Sequence, residues 1–211
     1  MLILGHRGAR ASRHVPENTI ASFELCLQHG CDGFEFDVRL SSDRQAVICH
    51  DPVAGGKILC ETTAHDLGLP TLEEVLQKFA TSAFLDIEIK VAGIEAQTIA
   101  ALRAHSPSKG YVVSSFLPEV LRQLHALDPS VPLGLLCERK NQRASSDLPV
   151  TWMIPRFDLV DQTFVQNCRA NGKKVMVWTV NDADQMRRMA GWGAEALISD
   201  NTELLVRTLR T

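Results

Sequence analysis

Two segments of this chain alternate acidic and apolar residues in strict step: Gly33-Phe-Glu-Phe-Asp-Val-Arg-Leu40 and Phe84-Leu-Asp-Ile-Glu-Ile-Lys90. Read as strands, they send successive side chains to opposite faces. Phe34, Phe36 and Val38 share one face of the first, and Glu35, Asp37 and Arg39 the other. Leu85, Ile87 and Ile89 oppose Asp86, Glu88 and Lys90 in the second. In a barrel the outer face of each strand packs under helices and must be apolar, so the carboxylates are forced into the interior. Unpaired charge is very costly there, and a cation must balance it.

The rest of the chain repeats a strand–helix rhythm. Candidate strands are Leu2–His6, Gly33–Arg39, Phe84–Lys90, Tyr111–Ser115, Leu133–Cys137, Trp152–Ile154, Lys174–Thr179 and Ala196–Ser199. A short run, Ala46–His50, follows the second strand too closely for an intervening helix and reads as its hairpin partner. Helical stripes include Ile20, Phe23 and Leu27, and Val120, Leu121 and Leu124. Thr71 with Glu74 forms a capping box opening Leu72–Phe79. Asp182 begins a helix carrying Met186 and Met189, and Leu204, Leu205 and Leu209 mark the last one. Arg139–Pro149 is polar and only partly helical in pattern. Eight βα units in 211 residues predict an α/β fold, a single-domain (β/α)8 TIM barrel spanning 1–211. A doubly wound open sheet is the alternative.

Composition narrows the partners. The net charge of −3 gives no general attraction to polyphosphates, and the basic residues are scattered, so no nucleic-acid partner is expected. A small anionic substrate has to be held by local groups. The apolar run Met1–Leu4 is far short of a signal-peptide core, and no segment approaches the ~20 apolar residues of a membrane span. No membrane anchor is expected. The six cysteines form no C-x-x-C pair and read as reduced, mostly buried thiols, with the cytoplasm as the expected location. Oligomeric state is not legible.

Glu35, Asp37 and Glu88 are an all-oxygen set suited to one Mg²⁺ or Ca²⁺; the alternative is an internal salt-bridge network with Arg39 and Lys90. His6, in Gly5-His-Arg-Gly8, and His50, in Cys49-His-Asp-Pro52, both end strand-like runs. Active sites of such barrels lie at the carboxyl ends of the strands, and imidazoles there suit an acid–base pair. Arg7 offers a planar fork to a phosphate and Lys90 a point charge. Gly5 and Gly8 fit either close approach of a ligand or a tight turn. Asn18, in Pro16-Glu-Asn-Thr19, reads as a helix cap, with Glu17 favoured in a first helical turn by the helix dipole. Trp178 either closes a pocket at the barrel mouth or fills the upper core. His14, His29, His65, His105 and His125 have no acidic partners in pattern and take no role.

Together, Gly5-His6-Arg7-Gly8, Pro16-Glu17-Asn18-Thr19, Glu35-Phe36-Asp37, His50-Asp51 and Glu88-Ile89-Lys90 resemble the glycerophosphodiester phosphodiesterase family, as do Ser114-Ser115-Phe116 and Val177-Trp178-Thr179-Val180-Asn181. The resemblance implies a (β/α)8 barrel whose His6 and His50 act as general acid and base. It implies that Glu35, Asp37 and Glu88 bind one divalent ion, that Arg7 and Lys90 contact phosphate, and that Glu17 is an acid near the substrate. The implied reaction is metal-dependent hydrolysis of a small glycerophosphodiester to glycerol 3-phosphate and an alcohol. The chain departs from the family in one respect. The insertion often found after the His-Asp motif is reduced to Pro52–Leu69, and the usual Arg-Thr-Thr stands here as Glu61-Thr62-Thr63. The alcohol preference is therefore not carried over. Rival readings are a phosphodiesterase acting on lysophospholipids or phospholipids, a Schiff-base aldolase using Lys90, and a barrel that binds phosphodiesters without cleaving them.

Overall fold

The structure, a computed structural model, describes residues 1–140 and 148–210. Eight parallel strands form the barrel: β1 (Leu2–His6), β2 (Gly33–Leu40), β6 (Phe84–Ile89), β7 (Tyr111–Ser115), β8 (Leu133–Cys137), β9 (Trp152–Pro155), β10 (Lys174–Val177) and β11 (Ala196–Ser199). Each pairs with its neighbour, and β1 pairs with both β2 and β11, which closes the sheet. That closure excludes the open doubly wound alternative. The short strand β3 (Ala46–Ile48) runs antiparallel beside β2, as its position in sequence predicts. The reduced insertion holds a small hairpin, β4 (Val53–Ala54) with β5 (Lys57–Ile58), followed by a 3₁₀ turn and the one-turn helix α2 (Ala64–Leu67).

The outer layer comprises α1 (Ile20–Gln28), α3 (Leu72–Phe79), α4 (Glu95–Ala104), α5 (Pro118–Leu127), α6 (Gln162–Ala170), α7 (Ala183–Trp192) and α8 (Thr202–Leu209). Thr71 and Glu74 make the expected capping box on α3, and Asp182 caps α7. One start differs from expectation. The N-cap of α1 is Thr19, whose side chain accepts from the Ser22 amide, so Asn18 is not the cap and Glu17 precedes the first turn. Of the Arg139–Pro149 segment, 141–147 lie outside the described residues. Four of the six cysteines are buried, and no disulfide joins any of them among the described residues.

Hydrophobic packing sorts into two layers. Between strands and helices, Phe34 and Phe36 of β2 meet Phe23 of α1 and Phe79 of α3, with Phe23 and Phe34 stacked at 4.2 Å. Both β2 phenylalanines are wholly buried, and each such burial contributes about 2–3 kcal/mol. This outward anchoring compels Glu35 and Asp37 to face the lumen. Inside the barrel, Leu4, Val112, Leu136, Ile154, Met176 and Ile198 fill the floor, with Phe84 against Trp152 beneath. The lumen is thus a plugged cup, dry below and polar above.

Gly33 makes the tightest backbone approach in this wall. A Cβ there would stand 1.8 Å from the Phe84 carbonyl oxygen, a clash that only backbone movement relieves. Gly33→Ala is expected to destabilise the fold by about 3 kcal/mol or more. Urea denaturation will show this as a lower midpoint with an unchanged slope.

Candidate active site

The polar cup at the carboxyl ends of the strands is a cavity of about 290 Å³. His6, Arg7, Glu35, His50, Glu88 and Lys90 line its charged side, and Phe116, Leu136, Trp178 and Ile198 its apolar side, with Glu138 at the lip. Every residue expected in the site except Glu17 and Asp37 lines this space. Those two bind Arg7 directly, so the structure brings the full set together.

The acidic core follows from register. Asp37 of β2 stands opposite Glu88 of β6, and Glu35 stands between His6 and Asp86. Glu35, Asp37 and Glu88 are buried, and one oxygen from each lies within 4.8 Å of the others. Like charges opposed across a ladder destabilise it. Lys90 reaches between two of them, its Nζ 2.7 Å from Glu88 and 3.3 Å from Asp37. Arg7 Nε lies 3.3 Å from the other Asp37 oxygen. Arg39 takes no part in this network; its Nε donates to the His50 carbonyl oxygen at 2.7 Å.

These cations do not satisfy the cluster. Burial, then repulsion from Asp37, Glu88 and Asp86, pushes the Glu35 carboxyl well above the usual range. Burial and Asp37 push Glu88 up to about 7. Asp37 goes down, because Lys90, Arg7 and Asn18 together outweigh its burial. Glu35 Oε1 is buried with no hydrogen-bond partner, while buried Asp37 Oδ1 and Glu88 Oε1 share the single Lys90 ammonium at 3.3 and 2.7 Å. Three convergent carboxylate oxygens with spare lone pairs match what a hard divalent cation requires. Glu88 and Asp37 also hold Lys90 as a cation against the pull of burial. A Schiff-base lysine must be neutral to attack, so this environment opposes the aldolase reading.

The loop after β1 wraps this cluster. Arg7 has φ 55° and donates its backbone N–H to Glu35 Oε2 at 3.0 Å and its guanidinium to Glu17 at 2.7 Å. A Cβ on Gly5 would stand 2.4 Å from the Gly8 carbonyl oxygen, and Gly8 has φ 82°. The two glycines therefore serve the tight turn. Asn18, at φ 57°, donates Nδ2 to Asp37 Oδ2 at 2.8 Å and accepts from the Asp37 amide at 3.3 Å. Non-glycine residues in this left-handed region carry strain of about 1–3 kcal/mol and concentrate at functional sites.

Each histidine has an acidic partner on Nδ1: Asp200 at 2.7 Å for His6, and Asp51 at 2.7 Å for His50. His6 Nε2 is 3.9 Å from Glu35. Burial lowers the His50 pKa. Trp178 donates Nε1 to the Ile154 carbonyl oxygen at 2.8 Å and stands edge-on to Phe116 at 5.6 Å, so it caps the inner core and walls the cavity at once. Sequence reasoning missed Asp200, Asn18 as a carboxylate partner, Phe116 as a wall and Arg10, which bonds both Glu17 and Asp200. Asp51 was within reach of the sequence, being adjacent to His50. His29 and His105, given no partners in pattern, lie near Glu203 and Glu73 on the outer surface.

A closed (β/α)8 barrel with a buried carboxylate triad and two histidine–aspartate pairs at its mouth defines a hydrolase-type site. The sequence pattern of the glycerophosphoryl diester phosphodiesterase family matches residues 6–67 and 54–204. This chain belongs to that family. A glycerophosphodiester phosphodiesterase of Caldanaerobacter subterraneus subsp. tengcongensis is 29% identical over 99% of this chain and 98% of its own. A phosphodiesterase of Oleispira antarctica, solved in complex with the product sn-glycerol-3-phosphate, superposes with a TM-score of 0.87 at 26% identity, covering 100% of this chain and 97% of its own. A glycerophosphodiester phosphodiesterase of Parabacteroides distasonis shares the fold at TM-score 0.88 and 24% identity, over 99% and 96% of the two chains.

Repulsion within the triad makes a stability prediction. Glu35→Gln keeps the shape and removes a charge that the buried site resists, so the metal-free variant should be more stable than the parent at pH 7.5 by about 1–3 kcal/mol. Its melting temperature should rise by about 2–4 °C per kcal/mol, while calorimetric binding of Mg²⁺ or Ca²⁺ is lost.

Proposed function

We propose that this protein hydrolyses small glycerophosphodiesters to glycerol 3-phosphate and a free alcohol. The observation that carries the reading is the buried, under-satisfied triad Glu35–Asp37–Glu88 beside a cavity that Glu35 and Glu88 line together with His6 and His50. Family membership and the product bound by the Oleispira relative support it. Glu35, Asp37 and Glu88 would hold one divalent cation, Mg²⁺ or Ca²⁺, and when bound it supplies Lewis-acid stabilisation of charge on the phosphoryl group.

The chain's own residues do the rest. Lys90 and Arg7 stand beside the triad as fixed cations, and Glu17 holds the Arg7 guanidinium in place. One histidine of the His6 and His50 pair takes a proton from the attacking oxygen, and the other returns one to the departing alcohol. The nucleophile is water or the glycerol 2-hydroxyl, the latter passing through a cyclic phosphate. Phe116 and Trp178 offer carbon surface to the glycerol or alcohol chain and keep water from the apolar side. No helix among the described residues is long and apolar enough to cross a membrane. Six cysteines outside any disulfide among the described residues fit a reducing compartment, the cytoplasm.

The test is release of glycerol 3-phosphate from glycerophosphocholine and glycerophosphoethanolamine. Release should vanish in EDTA and return with Mg²⁺ or Ca²⁺. His6→Ala and His50→Ala should each lower turnover by about 10²–10⁴-fold with the cation still bound. Full turnover in either variant would refute the acid–base assignment. No release under any ion would turn the search to lysophospholipids or to binding without cleavage.

A further inference from the structure

His6 is held by a residue on the last barrel strand's outgoing loop, and that residue is itself locked by a third side chain. Asp200 Oδ1 lies 2.7 Å from His6 Nδ1 and accepts from Arg10 NH1 at 3.1 Å. Asp200 Oδ2 accepts from Asn181 Nδ2 at 2.7 Å. The orientation of the Asn181 amide is fixed independently, because its Oδ1 accepts from the Asp200 backbone N–H at 3.0 Å and from the Ser199 hydroxyl at 2.9 Å. A backbone N–H can only donate, so Asn181 must turn its NH₂ toward Asp200.

The geometry points to Asp200 and Asn181 as a tautomer lock for His6, acting as positioning residues for the proposed proton transfer. Both Asp200 oxygens face obligatory donors, Arg10 on one side and the Asn181 amide on the other. The carboxylate therefore has only acceptor capacity for His6, so Nδ1 carries the ring proton. Nε2, on the Glu35 side of the ring, is left to give or take the proton that the reaction moves. Burial opposes ionisation of Asp200, yet the bonds from His6, Asn181 and Arg10 hold its carboxyl well below the usual range. An uncharged amide of the same shape cannot replace it. Turned one way, its NH₂ meets the Asn181 NH₂; turned the other, it meets Arg10 and donates to His6 Nδ1, which moves the ring proton to Nε2.

This inference rests on the acid–base role proposed for His6, and the test separates the two. Asp200→Asn is expected to lower kcat by roughly 10²-fold or more while KM stays within about threefold. Nitrogen-15 NMR of the His6 ring, assigned against His6→Ala, should show loss of the Nδ1–H tautomer. The paired exchange Asp200→Asn with Asn181→Asp restores every donor–acceptor match: the new amide donates to the new carboxylate and keeps its oxygen for His6 and Arg10. It should regain the Nδ1–H tautomer and recover at least about tenfold of the lost kcat. If the single variant fails to fold, the paired exchange carries the comparison with the parent enzyme. A retained Nδ1–H tautomer in Asp200→Asn, or a paired exchange no better than the single one, overturns the lock. A shifted tautomer with full kcat, and full kcat in His6→Ala, would sink the acid–base reading of His6 and leave the lock standing.

Discussion

Opposed carboxylates on β2 and β6 govern the rest of the molecule. Asp37 and Glu88 stand across one ladder position, with Glu35 one step below, in a lumen that water cannot freely reach. Nothing in the strand pairing itself favours this arrangement. It persists because Phe34 and Phe36 are clamped outward by Phe23 and Phe79, and the period of a strand then dictates where Glu35 and Asp37 must go. Packing outside the barrel holds charge inside it. The site retains an electrostatic debt that Lys90 and Arg7 only partly offset, and the divalent cation proposed for it would meet that demand.

Alternation in two segments was enough to orient the triad, because a strand's faces follow from its period whatever the fold. The barrel itself was legible from eight apolar runs spaced by helical stripes, and only closure between β1 and β11 needed coordinates. Loops were another matter. Asn18 sits one residue before a true cap, Thr19, and looks like a cap from sequence; its left-handed backbone instead turns the amide to Asp37. Asp200 is 194 positions from the histidine it holds, and no local pattern marks such a pair. Arg10 has the same character: an exposed arginine in a turn, whose importance depends on two acids that meet only in the folded barrel. Phe116 follows a serine pair that reads simply as strand, yet its ring stands against Trp178.

The charged groups at the mouth form a chain rather than a set of pairs. Asp37 touches Arg7, Arg7 touches Glu17, Glu17 touches Arg10, Arg10 touches Asp200, and Asp200 touches His6, which faces Glu35. Alternating sign from Asp37 to Asp200 gives each inner link two attractive neighbours. The triad end and the imidazole end are thus mechanically connected through four side chains, all of them on loops. A rigid cup with a charged rim of this kind can hold its donors in place before a ligand arrives.

The pairing of β1 with β11 has a temporal meaning as well. Asp200 and the strand that delivers it leave the ribosome 194 residues after His6, on the order of ten to forty seconds at ordinary rates of synthesis. Until then β1 lacks one neighbour, the barrel has an open edge, and His6 has no anchored partner. Chains still lacking β11 can hold the triad residues of β2 and β6 while His6 lacks its bond to Asp200. The charged rim is therefore complete only once β11 docks against β1 and brings Asp200 to His6.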